Sequence, residues 1–184
     1  LQNDDGGWSW WARGLPSVPW PTLQAAHALV AADAAGYTVP ADALDRALAH
    51  LDDIESHIPT DYSPDLRVTI RAYAVHVRTL AGDRDVDEAT SIFRDAGIAL
   101  QLDALAWLWP AIDDPAITEE IERRIANAAT ETAGAATFAT AYTEDAYVIA
   151  ASDRRTDGVI LDALIAEAPD SDLIPKVVTG LLGR

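Results

Sequence analysis

Cysteine is absent from all 184 residues of this chain. The chain can therefore form no disulfide, no thiolate nucleophile and no cysteine-ligated zinc site. It also has no signal-peptide pattern and no apolar run of about twenty residues, the length that a membrane-spanning helix needs. Nothing in its length demands two domains, so we expect a single domain over residues 1–184.

Positive charge is scarce. Thirteen lysine and arginine residues stand against 30 aspartate and glutamate residues, and the net charge is −17. A surface with this excess of negative charge repels phosphate groups, so we expect no nucleic-acid partner. We interpret the excess as a solvated acidic exterior and not as a dedicated binding surface.

The motifs of common catalytic sites are also missing. The sequence contains no Gly-x-Ser-x-Gly, no His-Glu-x-x-His, no phosphate-binding loop and no dinucleotide glycine pattern. It also lacks the Asp-Asp-x-x-Asp cluster that binds magnesium diphosphate. We therefore predict that the chain is not an enzyme, that it has no catalytic, cofactor-binding or metal-binding residues, and that it needs no cofactor.

Apolar residues recur at helical spacing between the prolines and glycines, and this pattern predicts about eight helices. Helices that are apolar nearly all round alternate with helices that have one apolar face. The predicted helices cover residues 21–35, a segment from 40, 64–80, 86–94, 98–109, 118–132, 156–168 and a segment from 175, with a β-prone stretch at 134–142.

This alternation predicts the architecture. A helix that is apolar on all sides must be covered on all sides, which an inner ring of helices wrapped by an outer ring provides. Thr22, Thr69 and Thr156 each lie near the start of a predicted inner helix. The predicted fold class is all-α, a partial α/α toroid of about four helical hairpins.

The first eleven residues hold three of the six tryptophans, directly after a pair of glycines. Gly6 and Gly7 can adopt positive φ, and the acidic residues before them favour tight turns. Large rings after such a turn are suited to burial. We expect four tryptophans to pack between the helical layers: Trp8, Trp10, Trp11 and Trp20.

Two stretches of the sequence carry a resemblance to a known family. The first comprises residues 5–11 (Asp-Gly-Gly-Trp-Ser-Trp-Trp), 19–22 (Pro-Trp-Pro-Thr) and 35–40 (Ala-Gly-Tyr-Thr-Val-Pro), and the second comprises residues 155–157, 160–164, 169–176 and 181–182. Both resemble the thioester-containing domain of bacterial α2-macroglobulins, and the second is similar to the last hairpin before the closing segment of that domain. The middle of the chain matches only in its pattern.

In that family the domain is an α/α toroid within a large protein that traps proteases. A cysteine and a glutamine of a Cys-x-Glu-Gln motif form an internal thioester, which cleavage of a bait region exposes. That motif precedes the Gly-Gly-Trp turn, and a thioester needs a sulfur that this chain does not have. The resemblance implies a non-catalytic fragment of the thioester domain of a protease inhibitor, which scaffolds the thioester region.

The resemblance also implies partners and a location. The partners are proteases, which bind the full-length protein, and neighbouring β-sandwich domains of the same chain. The location is the periplasm or the outside of the cell. A closed toroid of this type has about six hairpins, and only four are predicted here. Two edges of the inner layer would then be uncovered, so we expect possible self-association of the fragment.

The four histidines have competing interpretations. We expect His27 and His76 to be hydrogen-bonded core residues and not catalytic groups. His50 and His57 flank a group of acids and could bind a metal ion. Their spacing matches no ligand motif, so we expect a solvated helix end instead.

The rival hypothesis is an α/α-toroid enzyme that acts on a glycan or prenyl substrate with carboxylates as acid and base. A deep central pocket where acids and tryptophans converge would favour it. A third hypothesis is a helical protein-interaction scaffold. The carboxylates that such an enzyme could use occur in adjacent pairs, at residues 4–5, 52–53, 113–114 and 144–145. We expect these acids to form turns or helix caps instead.

Overall fold

A computed structural model describes residues 1–141 and 143–183; Tyr142, which ends the predicted β-prone stretch, and Arg184 lie outside the described residues. The described residues are predominantly helical, as predicted, with nine α-helices and one two-stranded sheet. The helices are α1 (Pro19–Ala34), α2 (Ala41–Asp52), α3 (Ile54–His57), α4 (Pro64–Leu80), α5 (Val86–Ala96), α6 (Leu102–Leu108), α7 (Pro115–Ala128), α8 (Asp153–Glu167) and α9 (Leu173–Leu182). The strands are β1 (Ala129–Thr132) and β2 (Ala135–Phe138), and 3-10 turns occur at Gly97–Ala99, Trp109–Ala111 and Glu144–Ile149.

Side-chain caps begin four of these helices. Ser63 Oγ accepts a hydrogen bond from the Leu66 N–H (3.2 Å) at the start of α4, where Pro64 occupies the first helical position. Such a cap satisfies an amide that has no partner within the helix, and proline there removes another. The other three caps are Asp85, Asp114 and Ser152.

The helices form two layers. In the inner layer α1 packs on α4, α4 on α6, and α6 on α8. In the outer layer α2 contacts both α1 and α4, α5 lies against α4 and α6, α7 against α6, and α9 against α8. The alternation of inner and outer helices along the chain therefore follows the predicted order, and closure into a toroid stays a prediction.

The predicted helix over residues 118–132 is wrong in its last turn. The helix α7 ends at Ala128, and residues 129–132 form β1, which pairs antiparallel with β2. The two residues between the strands, Ala133 and Gly134, have φ of 52° and 82°, which suits a tight hairpin turn. Phe138 of β2 is buried in the larger core cluster, so the hairpin anchors this end of the chain.

The predicted helix over residues 98–109 is also too long. Its α-helical part is only Leu102–Leu108, with 3-10 turns on both sides. Arg124 of α7 donates hydrogen bonds to the carbonyl oxygens of Gly97 and Leu100, both at 2.9 Å. Carbonyls left without partners at a helix end need such donors. Glu120 of α7 contacts Arg123.

Two of the four tryptophans expected between the layers are outside them. Trp20 is buried and Trp8 is half-buried against the same core cluster, whereas Trp10 and Trp11 are 53% and 89% exposed. The backbone turns at Ser9, whose hydroxyl donates a hydrogen bond to the carbonyl of Ala12. This turn carries the last two rings to the tip of the N-terminal loop, residues 1–18.

The loop packs against α2 through Gly6, which has a φ of +86°. A Cβ at this position would overlap the carbonyl oxygen of Arg46. We therefore expect Gly6→Ala to lower the free energy of unfolding by roughly 1–3 kcal/mol through backbone strain and overpacking. Urea denaturation measures this, and the matched control is Gly158→Ala in α8, where a Cβ meets open space. Equal stability of the two variants would contradict the packing described.

Among the described residues, no helix has the length and apolar character needed to cross a membrane.

Candidate functional site

Three aromatic rings from three inner helices form a stack, which we call the inner stack: Trp20, Tyr73 and Trp107. The rings of Tyr73 and Trp107 are 4.2 Å apart and nearly parallel, at 15°. Trp20 lies 5.5 Å from Tyr73 at a tilt of 43°. All three are nearly buried. The stack therefore joins α1, α4 and α6 in the inner layer.

Arg155 connects the fourth inner helix, α8, to the inner stack. Its guanidinium carbon lies 4.9 Å from the ring centre of Trp20 and 5.7 Å from that of Trp107. It donates a hydrogen bond to Oδ2 of Asp103 at 2.6 Å, and Asp103 is fully buried. A guanidinium that faces two rings and a buried carboxylate satisfies the carboxylate and packs on the rings at once.

The hydroxyl group of Tyr73 bonds to side chains of α1. It accepts a hydrogen bond from Nε2 of Gln24 (3.1 Å) and lies 2.7 Å from Nδ1 of His27. Burial raises the pKa of Tyr73 to about 12, and the nearby charge of Arg155 only partly opposes this. The phenol keeps its proton at neutral pH, so it can donate to His27.

His76 lies beside His27 on the same face of the inner layer. It is 5% exposed, which confirms that it is a core residue. Burial, together with the neighbouring His27, lowers its pKa to about 4, although a hydrogen bond with the Trp107 backbone has the opposite effect. Burial also lowers the pKa of His27. Both imidazoles are therefore neutral at pH 7.

The depressed pKa of His76 predicts a pH dependence of stability. Between its ordinary value of 6.5 and about 4, the unfolded chain binds a proton that the folded chain does not. The free energy of unfolding should therefore fall as the pH falls through this range, by an amount of the order of 3 kcal/mol for this group. Urea titrations at pH 7.0 and 4.5 should show a smaller decrease for His76→Gln than for the native chain.

The control for this comparison is Thr69→Ser, which alters another buried polar residue of α4 without removing a titrating group. It should change the stability equally at both pH values. If His76→Gln showed the same pH dependence as the native chain, the neutral state of the buried imidazole would not contribute to it.

A groove runs over this part of the inner layer, lined by His27, His76, Trp107, Arg155 and Asp162 among others. Among the described residues that line it, Asp162 supplies the single carboxylate. Acid–base hydrolysis of a glycan needs a pair of carboxylates at a defined separation. The chemistry of this groove is therefore aromatic and cationic, and it does not match the acid-lined pocket that the enzyme hypothesis requires.

A second cluster joins the N-terminal loop to the end of α2: Asp5, His50 and His57. The rings of His50 and His57 are stacked at 3.7 Å. His50 is 3% exposed, so the prediction that it lies at a solvated helix end is wrong. The reason is the loop, which covers it, and Nδ1 of His50 lies 2.9 Å from the backbone oxygen of Asp5. Burial lowers the pKa of His50 and keeps the ring neutral.

Among the adjacent acids, Asp5 and Asp114 have the turn and cap roles that the sequence predicts, whereas others form ion pairs or a hydrogen bond to a distant segment. The Asp5 carboxylate accepts from the Gly7 N–H (3.0 Å), and Asp114 caps α7 by accepting from the Ala116 N–H (3.0 Å). The Asp145 carboxylate accepts from the Ser63 N–H (3.0 Å). Three others form ion pairs, and these are Asp4 with Arg13, Asp52 with Arg78 and Asp113 with Arg84.

Arg67, Arg71 and Arg78 share one face of α4, and Arg78 is buried. The guanidinium of Arg78 contacts carboxylates of Asp52, Asp83 and Glu88 at 2.7–2.9 Å. Burial acts against its protonated form, but the three carboxylates outweigh this and raise the pKa of Arg78. The other two arginines of that face both pair with Glu55. These contacts fix α2 and α3 against α4.

The whole chain resembles segments of solved structures. Salmonella alpha-2-macroglobulin reacted with methylamine matches 100% of this chain with a TM-score of 0.78 at 21% identity. Native Escherichia coli alpha-2-macroglobulin from domain MG7 to the C-terminus matches 100% with a TM-score of 0.77 at 20% identity. The E. coli protein activated by porcine elastase matches 100% with a TM-score of 0.74 at 21% identity. The chain has the fold of a segment of bacterial alpha-2-macroglobulins.

This chain spans only a small part of the alpha-2-macroglobulins that it resembles: 12% of the Salmonella chain, and 29% and 17% of the two E. coli chains. No protein-family model matches the sequence, and no curated protein gives a significant match. At 20–21% identity the likeness to alpha-2-macroglobulin establishes the fold.

Proposed function

We propose that this chain is part of the thioester-type domain of an alpha-2-macroglobulin protease trap, located in the periplasm or outside the cell. The observation that carries the proposal is the match of the entire chain to bacterial alpha-2-macroglobulins, with a TM-score of up to 0.78. The Gly-Gly-Trp turn at residues 5–11 supports it, because it resembles the turn that follows the thioester motif in this family.

The role of these residues in the trap is structural. They include no cysteine, so the reactive sulfur of a thioester has to come from another segment. The inner stack and Arg155 tie the four inner helices together, and the N-terminal loop is held on α2 by Gln2, whose Nε2 donates to the Ala43 carbonyl (2.9 Å). A ring held in this way positions the thioester segment against a neighbouring β-sandwich domain until the bait is cleaved.

The related structures indicate the partners of the whole protein. One is an alpha-2-macroglobulin that has reacted with methylamine, and another has been activated by elastase. We infer that the protein containing this chain is likewise cleaved by proteases and that a small amine can react in their place. For the isolated fragment we expect uncovered edges of the inner layer and, from them, self-association.

The gene that encodes this chain tests the proposal at the level of domain organisation. We expect several β-sandwich domains to be encoded before Leu1, and a Cys-x-Glu-Gln motif about one hairpin upstream of it. Since some bacterial relatives lack the cysteine, the β-sandwich domains are the decisive part. A gene that encodes this fold beside an enzyme domain or a helical repeat array would overturn the proposal.

A further inference from the structure

We propose that Asp5, His50 and His57 form a binding site for a divalent transition-metal ion, with zinc as the type ion. Each residue offers one donor atom, and these atoms lie within 4.8 Å of one another. Two imidazoles and a carboxylate are a donor set that zinc accepts, and a water molecule would complete a tetrahedron. The site shares no residue with the inner stack.

The fold brings the three residues together from different elements. His50 lies in the last turn of α2, and His57 ends the short helix α3. Asp5 belongs to the N-terminal loop, 45 residues away in the sequence from His50. The two rings are stacked, with centroids 3.7 Å apart and an interplanar angle of 17°. Because the lone pair of an imidazole nitrogen lies in the ring plane, the less buried His57 ring has to rotate so that both histidines can bind one ion.

The hydrogen bond of His50 decides which of its nitrogens is free. Nδ1 lies 2.9 Å from the backbone oxygen of Asp5, and a carbonyl oxygen only accepts, so Nδ1 carries the proton. The lone pair is therefore on Nε2. This nitrogen is buried and has no hydrogen-bond partner within the described part of the chain. A buried acceptor without a partner is costly, and a metal ion would satisfy it.

The same hydrogen bond is typical of metal-binding histidines. In such sites the ring nitrogen that does not bind the metal commonly donates to a backbone carbonyl or a carboxylate, which fixes the tautomer and the ring orientation. Here the carbonyl belongs to Asp5, whose own carboxylate is the third ligand. Asp5 therefore orients the His50 ring through its backbone oxygen and offers its own carboxylate to the ion.

The Asp5 carboxylate is held in place while one oxygen stays available. Its Oδ1 accepts hydrogen bonds from the Gly7 N–H (3.0 Å) and from the Ser17 hydroxyl (2.8 Å). Its Oδ2 has no hydrogen-bond partner in residues 1–141 and 143–183. Because Oδ1 is bound within the loop, the orientation of the carboxylate is set before a metal arrives, which reduces the entropic cost of binding.

Zinc titrated into the intact chain, with the heat of binding measured by isothermal titration calorimetry, tests the proposal. We expect one zinc ion per chain. We also expect binding about 10–100-fold weaker, or lost, in Asp5→Asn and in His57→Gln. Asp5→Asn keeps an oxygen that can accept from Gly7 and Ser17, so the loop should stay folded. The matched control is His27→Gln, which removes a half-buried histidine outside the cluster and should leave the affinity unchanged.

Nitrogen-15 NMR of the imidazoles identifies the ligand atom independently of the variants. Zinc should shift the Nε2 resonance of His50 and leave its Nδ1–H in place. Absence of one-to-one binding, or equal affinity in the native chain, Asp5→Asn and His57→Gln, would overturn the proposal. So would a zinc-induced shift confined to His27 or His76.

Discussion

Asp103→Ala is expected to lower the free energy of unfolding by about 3–5 kcal/mol, because it leaves the charge of Arg155 without its buried partner. The Asp103 side chain is fully inaccessible, and that of Arg155 is only 18% exposed. The same carboxylate also accepts a hydrogen bond from the Ala104 N–H (2.9 Å) in the first turn of α6. Its loss therefore affects the ion pair and the helix start together. Urea denaturation followed by circular dichroism measures the change.

A matched control and a double variant separate the ion pair from general damage. Asp162→Ala removes an exposed aspartate from the groove that Arg155 also lines, and it should change stability by no more than about 0.5 kcal/mol. Asp103→Leu combined with Arg155→Met replaces both charges with apolar groups and should be less destabilised than the sum of the two single variants. If Asp103→Ala unfolded at the same urea concentration as Asp162→Ala, the pair would not hold α6 to α8.

Trp107→Ala should also destabilise the chain by about 3–5 kcal/mol, because it opens a cavity in the inner stack. The Trp107 ring is 4% exposed and lies against Tyr73 on one side, with the guanidinium of Arg155 nearby. Removing it takes away packing that α4, α6 and α8 share. Thermal and urea unfolding both report the loss.

The control for this substitution is Trp11→Ala, which removes an equally large ring that is 89% exposed. Its expected effect is within about 0.5 kcal/mol of zero. Trp8→Ala, at a half-buried position, should lie between the two. The order Trp107, Trp8, Trp11 is thus a direct readout of burial, and an equal effect at all three positions would contradict the packing described.

Residue patterns were sufficient to predict the layers but not all of the elements. The alternation of all-apolar and one-faced helices predicted which helices lie inside, because burial on every side leaves no room for a polar face. The second strand of the hairpin lies in the predicted β-prone stretch, but the first, residues 129–132, was missed because alanine and threonine after α7 continue a helical pattern by composition. Its β structure depends on the turn at Gly134 and on the burial of Phe138, which only tertiary packing provides.

The ion pair of Asp103 with Arg155 and the Asp5–His50–His57 cluster were harder to predict than the helical layers. Asp103 did carry a usable signal, since a charged residue within an otherwise apolar helix needs a buried partner. Its partner, Arg155, lies 52 residues away and could not be named from spacing. The Asp5–His50–His57 cluster depends on the path of the N-terminal loop over α2. Adjacent prolines, glycines and acids indicate that a loop turns, but they do not indicate which helix it covers.

The thioester-domain assignment is tested most directly by incubating the whole gene product that contains this chain with elastase. Native and denaturing gels then show whether the protease is captured. We expect limited cleavage at a bait region, a change in native mobility, and elastase recovered in a complex with this protein. Where the gene encodes the cysteine, methylamine treatment beforehand should abolish covalent capture. Progressive digestion with all of the elastase left free would contradict the assignment.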